Sequence, residues 1–103
     1  MTPNFEHITK RLQETLNPSR IYLFGSHAQG LNHSESDVDL LIVVPDDSER
    51  AFSKTQRAYQ ALRGLGVAKD LIVEHESTFQ RKINWVSSIE HEVAKNGRIL
   101  YAQ

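Results

Sequence analysis

Apolar positions in this chain switch between a helical and a strand period from one end to the other. Phe5, Ile8, Leu12 and Leu16 recur at helical spacing. Thr2 and Pro3 suit the cap and first helical position ahead of them, and Asn17-Pro18 stops the run. Arg20–Phe24 (RIYLF) reads as a short strand that Gly25 breaks. Ser26 can cap a short helix running to about Leu31, and Asn32–Ser36 is a polar loop. Val38–Val44 (VDLLIVV) is the strongest strand signal, and its branched apolar run predicts a central strand buried on both faces. Pro45-Asp46-Asp47-Ser48 breaks that strand and caps a helix whose inner stripe is Phe52, Thr55, Tyr59 and Leu62, with Gly64 and Gly66 at its end. A third strand runs from about Val67 to His75 around Leu71-Ile72-Val73. The last helix is expected in one piece from Ser77 or Thr78 to Lys95, with Phe79, Ile83, Val86, Ile89 and Val93 buried and Asn96-Gly97 as its stop. Arg98-Ile99-Leu100-Tyr101 can add a short terminal strand.

Alternating helices and strands predict an α+β fold, a two-layer arrangement in which a small mixed sheet of three to four strands packs against helices. The helix between Asp47 and Arg63 is long enough to be a crossover, so the second and third strands should be parallel neighbours.

Composition narrows the class. The chain has 103 residues, 12 Lys plus Arg, 13 Asp plus Glu and a net charge of -1. Residues 1–103 are expected to form a single domain. Near-zero net charge argues against nucleic-acid backbone or an anionic membrane as the main partner. With no Cys there is no disulfide or thiolate metal site, which fits a reducing compartment. No apolar run approaches a membrane span and the N-terminus has no signal-peptide core, so a soluble cytoplasmic protein is expected.

Candidate chemistry sits at the strand ends. Asp37 and Asp39 open the central strand two residues apart, which puts both carboxylates on one face about 6.6 Å apart at Cα. Such neighbours raise each other's pKa unless a cation lies between them, and hard divalent ions want oxygen ligands of this kind. Asp70 opens the third strand, and parallel neighbours place their starts side by side. Three carboxylates at one sheet end can hold one or two metal ions for phosphoryl-type transfer. Glu74 shares the face of Asp70 and is a reserve candidate for the site, but it lies at the far end of the strand, where a solvated strand end is the expected role. Gly25-Ser26, a strand ending in Gly that opens a helix, offers backbone N–H groups and a hydroxyl to a phosphate. For that turn to meet Asp39, the first and second strands must run antiparallel.

Gly-Ser, ten residues, Asp-x-Asp and a later Asp before an apolar strand form the signature of the polymerase-β-like nucleotidyltransferases. The stretches GSHAQG, SDVDLLIVV and KDLIVEH resemble its minimal members, the MNT proteins often paired with a HEPN-domain partner. The resemblance implies that Gly25 and Ser26 bind the nucleotide's phosphates, that Asp37, Asp39 and Asp70 hold magnesium, and that Asp70 is the base activating an incoming hydroxyl. It also implies transfer of a nucleoside monophosphate, AMP from ATP, to a tyrosine hydroxyl of a HEPN toxin, the chain acting as its antitoxin. Many relatives carry Arg where this chain has Gln29, so one phosphate-binding cation is missing; His27 or Lys69 are the nearby candidates to replace it.

The catalytic core takes up nearly all 103 residues, so the acceptor is expected to be docked by another chain, or to be that chain. Two other functions compete: an inactive binding module that neutralises its partner by contact, and transfer to a small hydroxylated molecule such as an aminoglycoside. His7, His27, His33, His75 and His91 match no ligand spacing and read as scattered surface residues. Trp85 falls about 100° from Val86, at the rim of the last helix's apolar stripe, where it can pack structurally or anchor a partner, in an oligomer or a complex.

Overall fold

Val38–Val44 forms β2, buried along its length apart from Asp39, which is partly exposed. Its neighbours come from the rest of the chain, for which a computed structural model describes residues 3–30 and 37–103. The elements run α1 (Phe5–Leu16), β1 (Arg20–Phe24), α2 (Ser26–Gln29), β2, α3 (Ala51–Ala61), β3 (Lys69–His75), α4 (Glu76–Lys82), α5 (Ile89–Asn96) and β4 (Arg98–Ala102). Strand order is β3-β2-β1-β4. β1 is antiparallel to β2 and to β4, and β2 is parallel to β3 through the α3 crossover. The mixed sheet and its strand directions are those the sequence predicts.

Strand alternation divides the core in two. Leu40, Ile42 and Val44, with Ile21, Leu23, Leu71 and Val73, meet Ile8, Leu12 and Leu16 of α1 and Ala58 of α3, with Leu62 just beyond it. On the opposite face Tyr22, Leu41 and Val43 meet Phe79 of α4 and Val93 of α5. Tyr22 stacks on Phe79 at 5.6 Å. The Arg20 guanidinium lies 5.1 Å from the Phe79 ring and ion-pairs with Glu76. Asp39 and Asp70 follow the alternation of this second face.

Several helix boundaries differ from the sequence expectation. Asn4 caps α1, its Oδ1 accepting from the His7 N–H at 3.0 Å, and Pro3 precedes the helix; Thr2 lies outside the described residues. α2 stops at Gln29 with Gly30 left-handed, while Leu31 and the loop Asn32–Ser36 lie outside the described residues. α3 starts at Ala51 and buries Lys54, Ala58 and, one turn on, Leu62; Phe52 is 70% exposed. Lys54 can take that place because its ammonium reaches Asp47 at 2.6 Å while its stem lines the core. Tyr59 turns its hydroxyl to accept the Leu71 N–H at 3.0 Å.

The expected single last helix is two helices. The Ser88 hydroxyl donates to the Lys82 carbonyl (2.8 Å) and accepts from the His91 N–H (3.0 Å), so one side chain closes α4 and caps α5. The His91 ring meets the Ile83 carbonyl at 2.9 Å. Phe79, Ile83 and Val93 pack inward, but Trp85 and Val86 fall in the connection, 54% and 80% exposed, and Ile89 is exposed as well.

Glu74 is not a solvated strand end. It is buried beside buried Glu90 of α5, with the Lys82 ammonium 3.9 Å away. Burial, followed by the Glu90 carboxyl, pushes Glu74 up to about 7 from an ordinary 4.5. A carboxyl raised in the folded state costs stability once it ionises. Stability should therefore fall as pH climbs from about 4.5 to about 7, and Glu74→Gln should flatten that fall. Melting temperatures of both proteins between pH 4.5 and 8 check it; parallel curves would place the pH dependence elsewhere.

Candidate active site

Antiparallel pairing of β1 and β2 brings the end of one strand to the start of the other, with Phe24 opposite Asp39. Parallel pairing of β2 and β3 sets Asp39 beside Asp70, roughly 4.8 Å away between strands. Asp37 lies two residues ahead of Asp39. Three strand ends thus bring the Gly25 turn and all three aspartates to one edge of the molecule. Asp37 and Asp70 are exposed there, while Asp39 is partly buried.

Gly25 shows how closely the turn meets the carboxylate. Its φ of 73° and ψ of -153° lie in a region essentially reserved for glycine. A Cβ added to it would come within 2.3 Å of Asp39 Oδ2. Burial, then the charges of Asp70 and Asp37, hold the Asp39 carboxyl above the ordinary carboxylate range, and the charge of His27 opposes them.

Among the described residues no Lys or Arg forms an ion pair with Asp37, Asp39 or Asp70. The Lys69 ammonium bonds the Val67 carbonyl at 3.2 Å. Oxygen donors with unbalanced charge suit a hard divalent cation. Among the described residues, however, no three His, Asp or Glu side chains stand as a ready-made cage.

Ser26 opens α2, and the Gln29 N–H returns to the Gly25 carbonyl at 3.3 Å. The first N–H groups of such a turn have no partner within the helix. His27 sits edge-on to Phe5 at 6.0 Å and is the positive influence on Asp39 that the motif alone does not assign. Its place directly after Ser26 is the signal that marks it. His75 and His91 bond the carbonyls of Glu49 and Ile83, and His33 lies outside the described residues.

Sequence reasoning missed α5 at this end of the sheet. A pocket of about 240 Å³ opens between Phe24, Gly25 and Gln29 on one side and Ile89, Glu92 and Asn96 on the other. The expected continuous helix hid it, because only the break at residues 83–88 re-aims α5 toward the Gly25 turn.

Residues 5–99 match the family described as "Nucleotidyltransferase domain". The chain is 40% identical over 82 residues to a Methanocaldococcus jannaschii protein named "Putative protein adenylyltransferase MJ0604", covering 80% of this chain and 77% of that one. A crystal structure of a toxin-antitoxin with AMP-PNP is similar at TM-score 0.60 and 24% identity, over 97% of this chain and 74% of that one. A mutant of the toxin-antitoxin MntA-HpeT gives TM-score 0.57 at 21% identity, over 97% and 74% of the two chains. At these identities the solved structures establish the shared fold.

Proposed function

The chain belongs to the nucleotidyltransferase domain family, and from that premise we propose that it transfers AMP from ATP to a hydroxyl of a partner protein, as the antitoxin of a toxin–antitoxin pair. The observation that carries this reading is the Gly25 turn seated on Asp39 with Asp70 in register beside it. The relative named as a protein adenylyltransferase and the solved toxin-antitoxin structures support the acceptor class and the partner. The partner is a HEPN-domain protein in this reading, and the exposed Trp85 and Val86 offer it an apolar surface.

The residues divide the work. Backbone N–H groups of the Gly25-Ser26 turn and the Ser26 hydroxyl would bind the phosphates. Asp37, Asp39 and Asp70 would hold magnesium, which when bound neutralises charge developing on the transferring phosphate. Asp70 would take the proton of the acceptor hydroxyl. That oxygen attacks the α-phosphorus, the bond to the bridging oxygen breaks, and pyrophosphate leaves. The charge of His27 offsets part of the repulsion at Asp39.

Purified protein with magnesium, ATP and a HEPN-domain protein encoded beside it should add one AMP to that partner, read by intact-mass spectrometry. Gln29 favours a second reading, a silent module acting by contact. An unmodified partner that is nevertheless inhibited would establish that second reading and overturn transfer.

A further inference from the structure

Glu74 and Glu90 take no part in the strand-end cluster, yet both are buried, at 8% and 4% exposure. Parallel register sets Glu74 beside Val43, so it faces the second layer of the core under α4 and α5. Glu90 reaches it from the first turn of α5 and hydrogen-bonds its carboxyl. Two ionised carboxylates can only accept, so that contact exists only while one of them carries a proton.

No other group around the pair can take the proton's place. On α4 the Lys82 ammonium stands 3.9 Å from Glu74 Oε2, beyond hydrogen-bond reach, and Arg81 acts on Glu74 through its charge. His91, the residue after Glu90, meets the Ile83 carbonyl instead. β2 presents apolar Leu41 and Val43 here, with Asp39 beside Asp70 at the opposite end of the sheet. Among the described residues no donor reaches the buried Glu74 Oε1. Loss of the proton leaves two buried carboxylates face to face, an arrangement that strongly disfavours the closed contact.

α5 depends on such contacts. It is eight residues long, too short to be stable alone, and the break at Ser88 separates it from α4. Its buried residues are Val93 and, one turn earlier, Glu90. We propose that Glu74 and Glu90 share one proton, and that this proton fastens the start of α5 to β3 and frees the helix when it leaves. Ile89, Glu92 and Asn96 of the same helix line the pocket beside the Gly25 turn, so the loosening opens that side of the candidate site. The fastening belongs to the fold and does not rest on the transferase reading.

Amide hydrogen exchange, expressed as protection so that its intrinsic pH dependence drops out, reads the loosening. Glu74 is pushed up to about 7 in the closed contact and returns toward 4.5 when α5 opens. Opening should therefore rise by up to about tenfold per pH unit between those values and level off above the higher one. At every pH, α5 should be less protected than β2. Glu74→Gln supplies an amide N–H in place of the proton and should leave α5 protection flat with pH. Glu90→Gln does the same from the other side and should shrink the fall, which covers the case of a Glu74 variant that does not fold. In wild type, the Glu74 carboxyl carbon followed by NMR should titrate near 7. Wild-type α5 protection that does not change with pH, or an undiminished fall in both variants, would overturn the proposal. So would α5 amides that exchange no faster than those of β2, or a Glu74 carboxyl that titrates in the ordinary range.

Discussion

Asp39→Asn should abolish nucleotidyl transfer and leave a folded protein that is more stable without metal. The rate should fall by at least about 10²–10³-fold, the cost of removing one preorganised electrostatic group from a transfer site. Asp39 is the member of the cluster in contact with the Gly25 turn and the one whose carboxyl is held above its ordinary range. Ionising it in the fold costs stability that begins to be lost as pH rises past 3.8 and is fully lost above the folded value. A neutral amide avoids that cost, so at pH 7 the metal-free variant should melt higher than wild type. Magnesium at ten times its dissociation constant should stabilise wild type by about 1.4 kcal/mol and the variant by much less. Transfer assays and melting curves with and without magnesium read all three effects. Retained transfer, or equal magnesium responses, would remove Asp39 from the site.

Gly25→Ala should be as damaging to transfer, for a different reason. The backbone there has φ 73° and ψ -153°, where any side chain costs on the order of 1–3 kcal/mol. That cost falls on stability. The new methyl also occupies the place of Asp39 Oδ2, 2.3 Å away, and that carboxylate must swing aside. Because Oδ2 is the free end of a side chain, the displacement costs the fold little and the site a great deal. The two effects separate in a double variant. In the Asp39→Asn background, Gly25→Ala should still lower stability by its backbone cost but remove no further activity. Chemical denaturation and transfer rates of the four proteins check it; full activity in Gly25→Ala would mean that the turn does not position Asp39.

The sheet and the juxtaposition of its charged strand ends were legible because they depend on local pattern. The run VDLLIVV can only be central, the crossover between Asp47 and Arg63 can only return parallel, and Asp39 and Asp70 then meet by register. What escaped depends on single side chains finding distant partners. Lys54 is buried because Asp47 takes its charge, and that moves the buried stripe of α3 away from Phe52 and Tyr59. Ser88 divides the last helix because one hydroxyl serves both ends of the break, although the spacing Phe79, Ile83, Val86, Ile89, Val93 is helical throughout. Glu74 lies buried because Glu90, sixteen residues later, is brought back over it. None of these pairings has a periodic signature, and the pocket beside Gly25 follows from the second.

The bond from the Leu71 N–H to the Tyr59 hydroxyl bears on how long the site stays assembled. β3 is an outermost strand, tied to the sheet by β2 alone, and the residue after Asp70 is Leu71. An outer strand frays more cheaply than the whole domain unfolds, and fraying of β3 carries Asp70 away from Asp39. The Tyr59 hydroxyl takes up an outward amide next to Asp70, a group that on a bare edge would face water or invite a foreign strand. A residue that sequence pattern assigns to the core thus fastens the outer strand at the position next to Asp70.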